Sequence, residues 1–184
     1  MQGVRAAAVK YATNHLINCI PSYTLRHAWY HRVLGWYIGP NAAILMGQYV
    51  RSKNLRRSGK RVSIGAGTVI DHGCLLCTAG GLLIGENVYI SPGVWLLNES
   101  RNMNDPQFAE THQPIVIDDY AWIGARAIIL GGVTIGRGAV VQAGALVAQD
   151  LEPNTVASGV PARVVGLREL RSPSYSLNYH PLFG

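Results

Sequence analysis

The stretch IDDYAWIGARAIILGGVTIGRGAVVQAGALV, residues 117–147, decides the fold. Cut into sixes, it places Ile117, Ile123, Ile129, Ile135, Val141 and Val147 at one position of the repeat. A helix would put residues six apart on different sides, and a plain strand would alternate every two residues along its whole length. A period of six instead fits a coil with three short faces, each giving one aliphatic residue to the interior and turning at small or polar residues. Eighteen residues then close one coil, and stacked coils share a continuous aliphatic column. A sandwich or barrel would need six consecutive matches by accident, and we set it aside.

The spacing continues outward as Ile38, Ile44, Val50, then Ile64, Ile70, Leu76, then Ile84, Ile90, Leu96. Gly or Asp often follows directly, and four residues on comes Thr68, Cys74, Val88, Val94, Ala127, Val133, Ala139 or Ala145. Turns such as Gly65-Ala66-Gly67, Gly85-Glu86-Asn87 and Gly136-Arg137-Gly138 supply residues that tolerate positive φ. Two breaks predict features outside the repeat: residues 51–61, a basic run, and residues 98–113, a projecting loop containing Asn104-Asp105-Pro106. Ahead of the coil, residues 4–18 read as a helix with Val4, Ala8, Tyr11, Ala12, Leu16 and Cys19 near one face. Ser22 can cap a second helix that runs through Leu34 and stops at Gly35. The expected divisions are a helical segment 1–36, the coil 37–166 and a polar tail 167–184, which should lie along a neighbouring surface or be partly disordered.

The 184 residues include 14% charged side chains, against about 25% in an average soluble domain, so apolar surface should be buried against other subunits. Residues 1–70 carry ten Lys and Arg and no acid; from Asp71 onward the balance is −4, leaving +6 overall. Such asymmetry predicts an anionic partner for the front section. Disorder, collagen and coiled coil are excluded by composition. Three cysteines favour a reducing compartment. No apolar run approaches the roughly 20 residues of a membrane span, residues 1–11 show no signal-peptide pattern, and a cytoplasmic protein is expected, with peripheral attachment to the inner face of the membrane as an option.

The motifs Trp122-Ile123-Gly124, Gly132-Val133-Thr134-Ile135-Gly136, Val140-Val141-Gln142-Ala143-Gly144-Ala145 and Gly159-Val160-Pro161-Ala162-Arg163, in this order, resemble the hexapeptide acyltransferases. The similarity is greatest to the galactoside and maltose acetyltransferase branch and to colanic-acid-type polysaccharide O-acetyltransferases. The resemblance implies a left-handed parallel β-helix, a homotrimer, acetyl-CoA along a groove between coils, no metal, and a histidine base that activates a hydroxyl of a sugar or lipid-linked glycan. It maps CoA contacts onto Trp122, Gly124, Ala125, Ala143, Gly144 and Arg163. The family's Thr-Lys pair is Ala148-Gln149 here, which predicts weaker CoA binding or a changed donor.

Where relatives carry the catalytic histidine, this chain has Arg101, which stays protonated and cannot accept a proton. Three readings stay open. His112, from the other end of the loop, supplies the base within the subunit or across an interface, with Asp105 of the same loop counted among the catalytic candidates; Arg101 binds an anionic group of the acceptor; or the chain is a catalytically impaired binding or scaffold protein. Cys74 and Cys77 read as packing residues, since the lone CxxC sits on repeat positions. His72 follows Asp71 at a turn, and one histidine on the coil rules out a three-histidine metal site. His15, His27 and His31 read as surface groups. Nucleic acid is not expected, because no recognition motif accompanies the basic run. With Trp29, Tyr30, Trp36 and Tyr37, residues 1–61 instead suggest a surface for anionic headgroups or a lipid-pyrophosphate-linked sugar.

Overall fold

The structure, a computed structural model, describes residues 3–52, 62–179 and 181. Most of the basic run, residues 53–61, lies outside the described residues. The chain winds through three parallel sheets that form the faces of a prism. The first face stacks Tyr37–Ile38, Val62–Ile64, Leu82–Ile84, Ile115–Ile117 and Thr134–Ile135; the second stacks Ala43–Ile44, Val69–Ile70, Tyr89–Ile90, Trp122–Ile123, Val140–Val141 and Thr155–Gly159. The third stacks Tyr49–Arg51, Leu75–Cys77, Trp95–Leu97, Ile128–Leu130 and Leu146–Val147.

The fifteen aliphatic positions of the repeat occupy three vertical columns. Ile38, Ile64, Ile84, Ile117 and Ile135 are register partners in turn. So are Ile44, Ile70, Ile90, Ile123 and Val141, and Val50, Leu76, Leu96, Ile129 and Val147. All are buried except half-buried Ile38. The small residues four positions on, from Thr68 to Ala145, are buried too and fill the interior corners. At about 1.5–3 kcal/mol per buried aliphatic side chain, these columns are the main source of stability.

The turn glycines have two separate duties. Gly67 and Gly138 stand at φ 65° and 68°, as expected of such turns. Gly136 and its equivalents are required for closeness instead: a Cβ on Gly136 would lie 2.6 Å from the Pro153 nitrogen of the next coil. The helical segment closes the lower end of the coil, where Tyr30, Leu34 and Trp36 join the coil's own core. Helix α1 spans Val4–His15, followed by a 3-10 turn at Ile17–Cys19. Its expected apolar face is not the one that docks: Val9 packs against the core cluster, and the end strand Tyr49–Arg51 meets the helix through its backbone groups. Asn14 therefore pairs with both the N–H (2.8 Å) and C=O (3.0 Å) of Val50, buried Thr13 accepts from Trp29 Nε1, and Val4, Tyr11 and Leu16 stay exposed.

Helix α2 spans Tyr23–Trp29 and continues as a π turn to Leu34, ending at Gly35 with φ 72°. Ser22 sits at the N-cap but its side chain makes no capping bond. Fully buried Arg26 takes over the clamping, donating to the carbonyls of Ile20 and Ile44 and lying over the Tyr23 ring. His27 is half-buried between the Tyr23 and Tyr30 rings, so it is not a surface group. At the upper end Thr155–Gly159 pairs antiparallel with Ala162–Leu167. The tail then returns along the edge between the first and second faces of its own chain. Arg168 donates to Tyr120 O and Gly138 O, Leu177 N to Asn87 Oδ1, and Tyr23 Oη to Pro181 O.

Gly136→Ala should lower stability by about 1–3 kcal/mol through overpacking of adjacent coils, whereas Gly166→Ala, with open space around it, should be neutral. Thermal denaturation followed by circular dichroism checks both; equal melting temperatures would show that coil spacing does not demand glycine there.

Candidate functional site

The projecting loop is a β-hairpin, Glu99–Arg101 against Glu110–His112, rooted at the edge between the third and first faces. Gly80 and Gly131 flank its root, where a Cβ on Gly80 would lie 2.7 Å from Asn98 O and one on Gly131 3.1 Å from Asn98 Cα. Arg101 is turned into the hairpin. Its guanidinium donates to Glu110 Oε1 at 2.6 Å and Phe108 O at 3.1 Å and stacks over the Phe108 ring. Asp105 shapes the tip, where its Oδ1 accepts the Gln107 amide at 2.8 Å. His112 lies at the root, opposite Glu99, with Nε2 3.6 Å from Glu110 Oε2. The hairpin therefore does not bring Asp105 to His112. Beside the root is a pocket of about 370 Å³ lined by Asn98, Glu99, Thr111 and Gln113 among others.

The CoA candidates gather on a different edge, where the second face turns into the third. Backbone bonds climb it rung by rung: Gly93 N to His72 O (2.9 Å), Arg126 N to Pro92 O (3.0 Å) and Gly144 N to Ala125 O (2.9 Å). Gly124, Ala125, Ala143 and Gly144 thus form two successive rungs, and a Cβ on Gly124 would approach the Ala143 nitrogen to 2.5 Å. Half-exposed Trp122 stands beside them on the second face, its Nε1 donating to Ser91 Oγ at 3.1 Å. Arg163, paired with Ser158, lies on the ribbon that closes the second face. Ala148 and Gln149 follow the last strand of the third face and sit apart, at its far edge. A hollow of about 300 Å³ opens along the climbing edge, lined by Gly93, Trp95, Arg126 and Ile128. Small side chains and close backbone leave room here for a thin chain, and Arg126 and Arg163 offer cations for phosphates; these residues fit CoA.

A family model for the bacterial transferase hexapeptide, with six repeats, matches residues 114–149. Residues 114–149 of this chain carry the hexapeptide repeat of the bacterial transferases. The chain is 36% identical over 117 residues to a serine acetyltransferase of Escherichia coli K12, covering 64% of this chain and 40% of that protein. To the galactoside O-acetyltransferase of the same strain it is 34% identical over 113 residues, covering 58% and 54%. This hexapeptide-repeat protein therefore spans about half the length, or less, of these curated relatives. A Vibrio cholerae hexapeptide-repeat acetyltransferase complexed with acetyl-CoA superposes with TM-score 0.73 at 26% identity, over 90% of this chain and 86% of that one.

Below the CoA candidates, on the same edge, sits a group that the reading of the residues passed over. Asp71, 8% exposed, accepts from Tyr89 Oη at 2.7 Å, from the His72 amide at 2.7 Å and from His72 Nδ1 at 2.8 Å. Burial pushes the Asp71 carboxyl up, but these hydrogen bonds and the attraction of a charged His72 outweigh it and hold the carboxyl below its ordinary value. Burial and the bond to Asp71 push the Tyr89 hydroxyl well above its ordinary range. The available signal was the dipeptide Asp71-His72 directly after interior Ile70; what it lacked was Tyr89, one coil away. Burial pushes the Cys74 and Cys77 thiols up to about 12, which keeps them protonated and leaves them a packing role.

A carboxyl depressed in the folded state stabilises the fold above the unfolded value of about 3.9 and loses that contribution as pH falls through its folded value. Asp71→Asn should therefore be less stable than wild type at pH 7, with the gap closing below about pH 4. Melting temperatures across that range check this; a constant gap would show that the carboxylate charge contributes nothing.

Proposed function

We propose that this hexapeptide-repeat protein is an acetyl-CoA-dependent O-acetyltransferase acting on a sugar or polysaccharide-precursor hydroxyl. The observation that carries the reading is the edge on which Gly124, Ala125, Ala143 and Gly144 climb, with Trp122 beside them, along an open hollow whose lining includes Arg126. The likeness to a galactoside O-acetyltransferase supports the sugar acceptor, while the likeness to a serine acetyltransferase makes an amino-acid hydroxyl the competitor to test. In this reading the coil winds left-handed, and Arg101, Asp105 and His112 belong to the acceptor side, with His112 the hairpin's candidate base. The active form is a homotrimer. Supporting it is the outward column of the third face, Tyr49, Leu75, Trp95, Ile128 and Leu146, an apolar stripe with Tyr49 and Trp95 about half exposed. Such a stripe also accounts for the low charged fraction. Among the described residues no helix is long and apolar enough to cross a membrane. Attachment of the basic front section to anionic headgroups, in the cytoplasm, stays part of the proposal.

Calorimetric titration should detect acetyl-CoA binding, weakened about tenfold or more by Arg163→Ala through loss of a charge-assisted bond. A thiol-release assay should show CoA formation with saccharides in preference to serine. Undetectable binding at millimolar acetyl-CoA would leave the scaffold reading; turnover with serine alone would replace the sugar.

A further inference from the structure

Helix α1 docks by one face, and the face it leaves outside is apolar. Buried Thr13 accepts from Trp29 Nε1, Asn14 holds Val50, and Val9 packs on the core. Turned about 180° from Thr13, at roughly 100° per residue, stand Val4, Ala8, Tyr11 and His15, all exposed. Val4 is 87% and Tyr11 64% exposed, and the His15 ring lies 4.6 Å from the Tyr11 ring. Residues at this spacing form one stripe along a helix, and a surface helix ordinarily turns such a stripe to the core. Here it faces outward along the whole of α1.

The charges beside the stripe are of one sign. Residues 3–52 contain Arg5, Lys10, Arg26, Arg32 and Arg51 and no Asp or Glu. Arg5 is exposed on the flank of the stripe, in a first turn that has no acid and no side-chain cap. A cation at that end opposes the helix macrodipole, so the placement costs helix stability in water. An anionic plane against the outward face reverses the sign of that contribution.

The size of the patch separates its occupants. With a length of about 18 Å and a diameter of about 10 Å, the outward face offers on the order of 200 Å². A stable contact with a second copy needs about 800 Å² per partner. Docking at a bilayer surface needs no such area: an apolar face sinks about 5–10 Å among the headgroups, tyrosine sits at that level, and flanking cations meet anionic lipids.

We propose that the outward face of α1, Val4, Ala8, Tyr11 and His15 flanked by Arg5, docks on an anionic lipid surface. This narrows the headgroup attachment stated above to one helix, and it stands apart from the acetyltransferase reading. The docking also orients the hairpin. Tyr11 and His15 line, with Tyr49, Arg51 and Glu99, a hollow of about 470 Å³, and Glu99 belongs to the hairpin root. A bilayer against α1 therefore lies beside that root.

The test uses the full chain with vesicles of phosphatidylcholine alone and of phosphatidylcholine mixed with phosphatidylglycerol. Binding to the anionic vesicles should be about tenfold tighter or more and should weaken as salt rises. Val4→Asp combined with Tyr11→Asp should lower it about tenfold or more, and Arg5→Ala about fivefold. Melting temperatures should stay at the wild-type value, because these side chains face away from the coil. Hydrogen exchange in residues 4–15 should slow when anionic vesicles are added. Binding unchanged by the double substitution, or protection that spares residues 4–15, overturns the α1 assignment and leaves attachment through another part of the front section. Equal partitioning onto neutral and anionic vesicles, or binding to neither, removes both. A sedimentation coefficient that falls in the double variant puts a second copy on this face and overturns the lipid proposal. Acetyl-CoA titration of the same proteins keeps the acetyltransferase reading separate from every one of these outcomes.

Discussion

Coil stacking at hydrogen-bonding distance constrains everything else in the molecule. Each rung of backbone bonds sets adjacent coils about 4.8 Å apart, which forces one interior aliphatic per face into contact with its counterpart above and below. Ile44, Ile70, Ile90, Ile123 and Val141 illustrate the result: five residues distant in sequence form one column. The same spacing leaves no room for a side chain where one turn crosses over the next, hence Gly136 beneath Pro153. A structure so defined along one axis cannot close its own ends. Helices with buried Arg26 and Tyr30 close one end, and an antiparallel ribbon closes the other.

This rigidity gives the site its form. Side chains at equivalent positions of successive coils fall in line, so an edge of the prism is a ruler graded by rung. The small residues of 124–125 and 143–144 are collinear with Pro92-Gly93 and Asp71-His72 because each pair occupies the same corner of its coil, with Trp122 beside them above Tyr89. Among the described residues the hairpin is the excursion from that order within the coil, and its polar side chains pair internally: Arg101 with Glu110 and Phe108, Asp105 with its own turn. An arginine held in this way serves the hairpin's own structure, joining its two strands through Glu110 and its tip through Phe108.

The front section shows the limit of pattern reading. Helix α1 carries an apolar stripe, yet it docks through Asn14 and Thr13, with Val9 against the core, because the end strand of the coil meets it through backbone groups. The tail behaves similarly. Its polar, proline-broken composition left open a segment lying along a neighbouring surface or partly disordered, and the surface along which Arg168, Tyr175 and Leu177 find their partners is an edge of the same chain.

From the amino-acid order alone, the three faces, all fifteen column positions and the interruption at 98–113 were legible. A six-residue period is local information, and rung spacing converts it directly into contacts. The hairpin's internal pairing, the docking face of α1 and the Asp71, His72 and Tyr89 group were decided only in three dimensions. Each depends on which coil lies above which, and Tyr89 reaches Asp71 across 18 positions of sequence because the coil sets it directly above Val69. Separations of that kind carry no periodic signal, so polar partners stay hidden where aliphatic ones declare themselves.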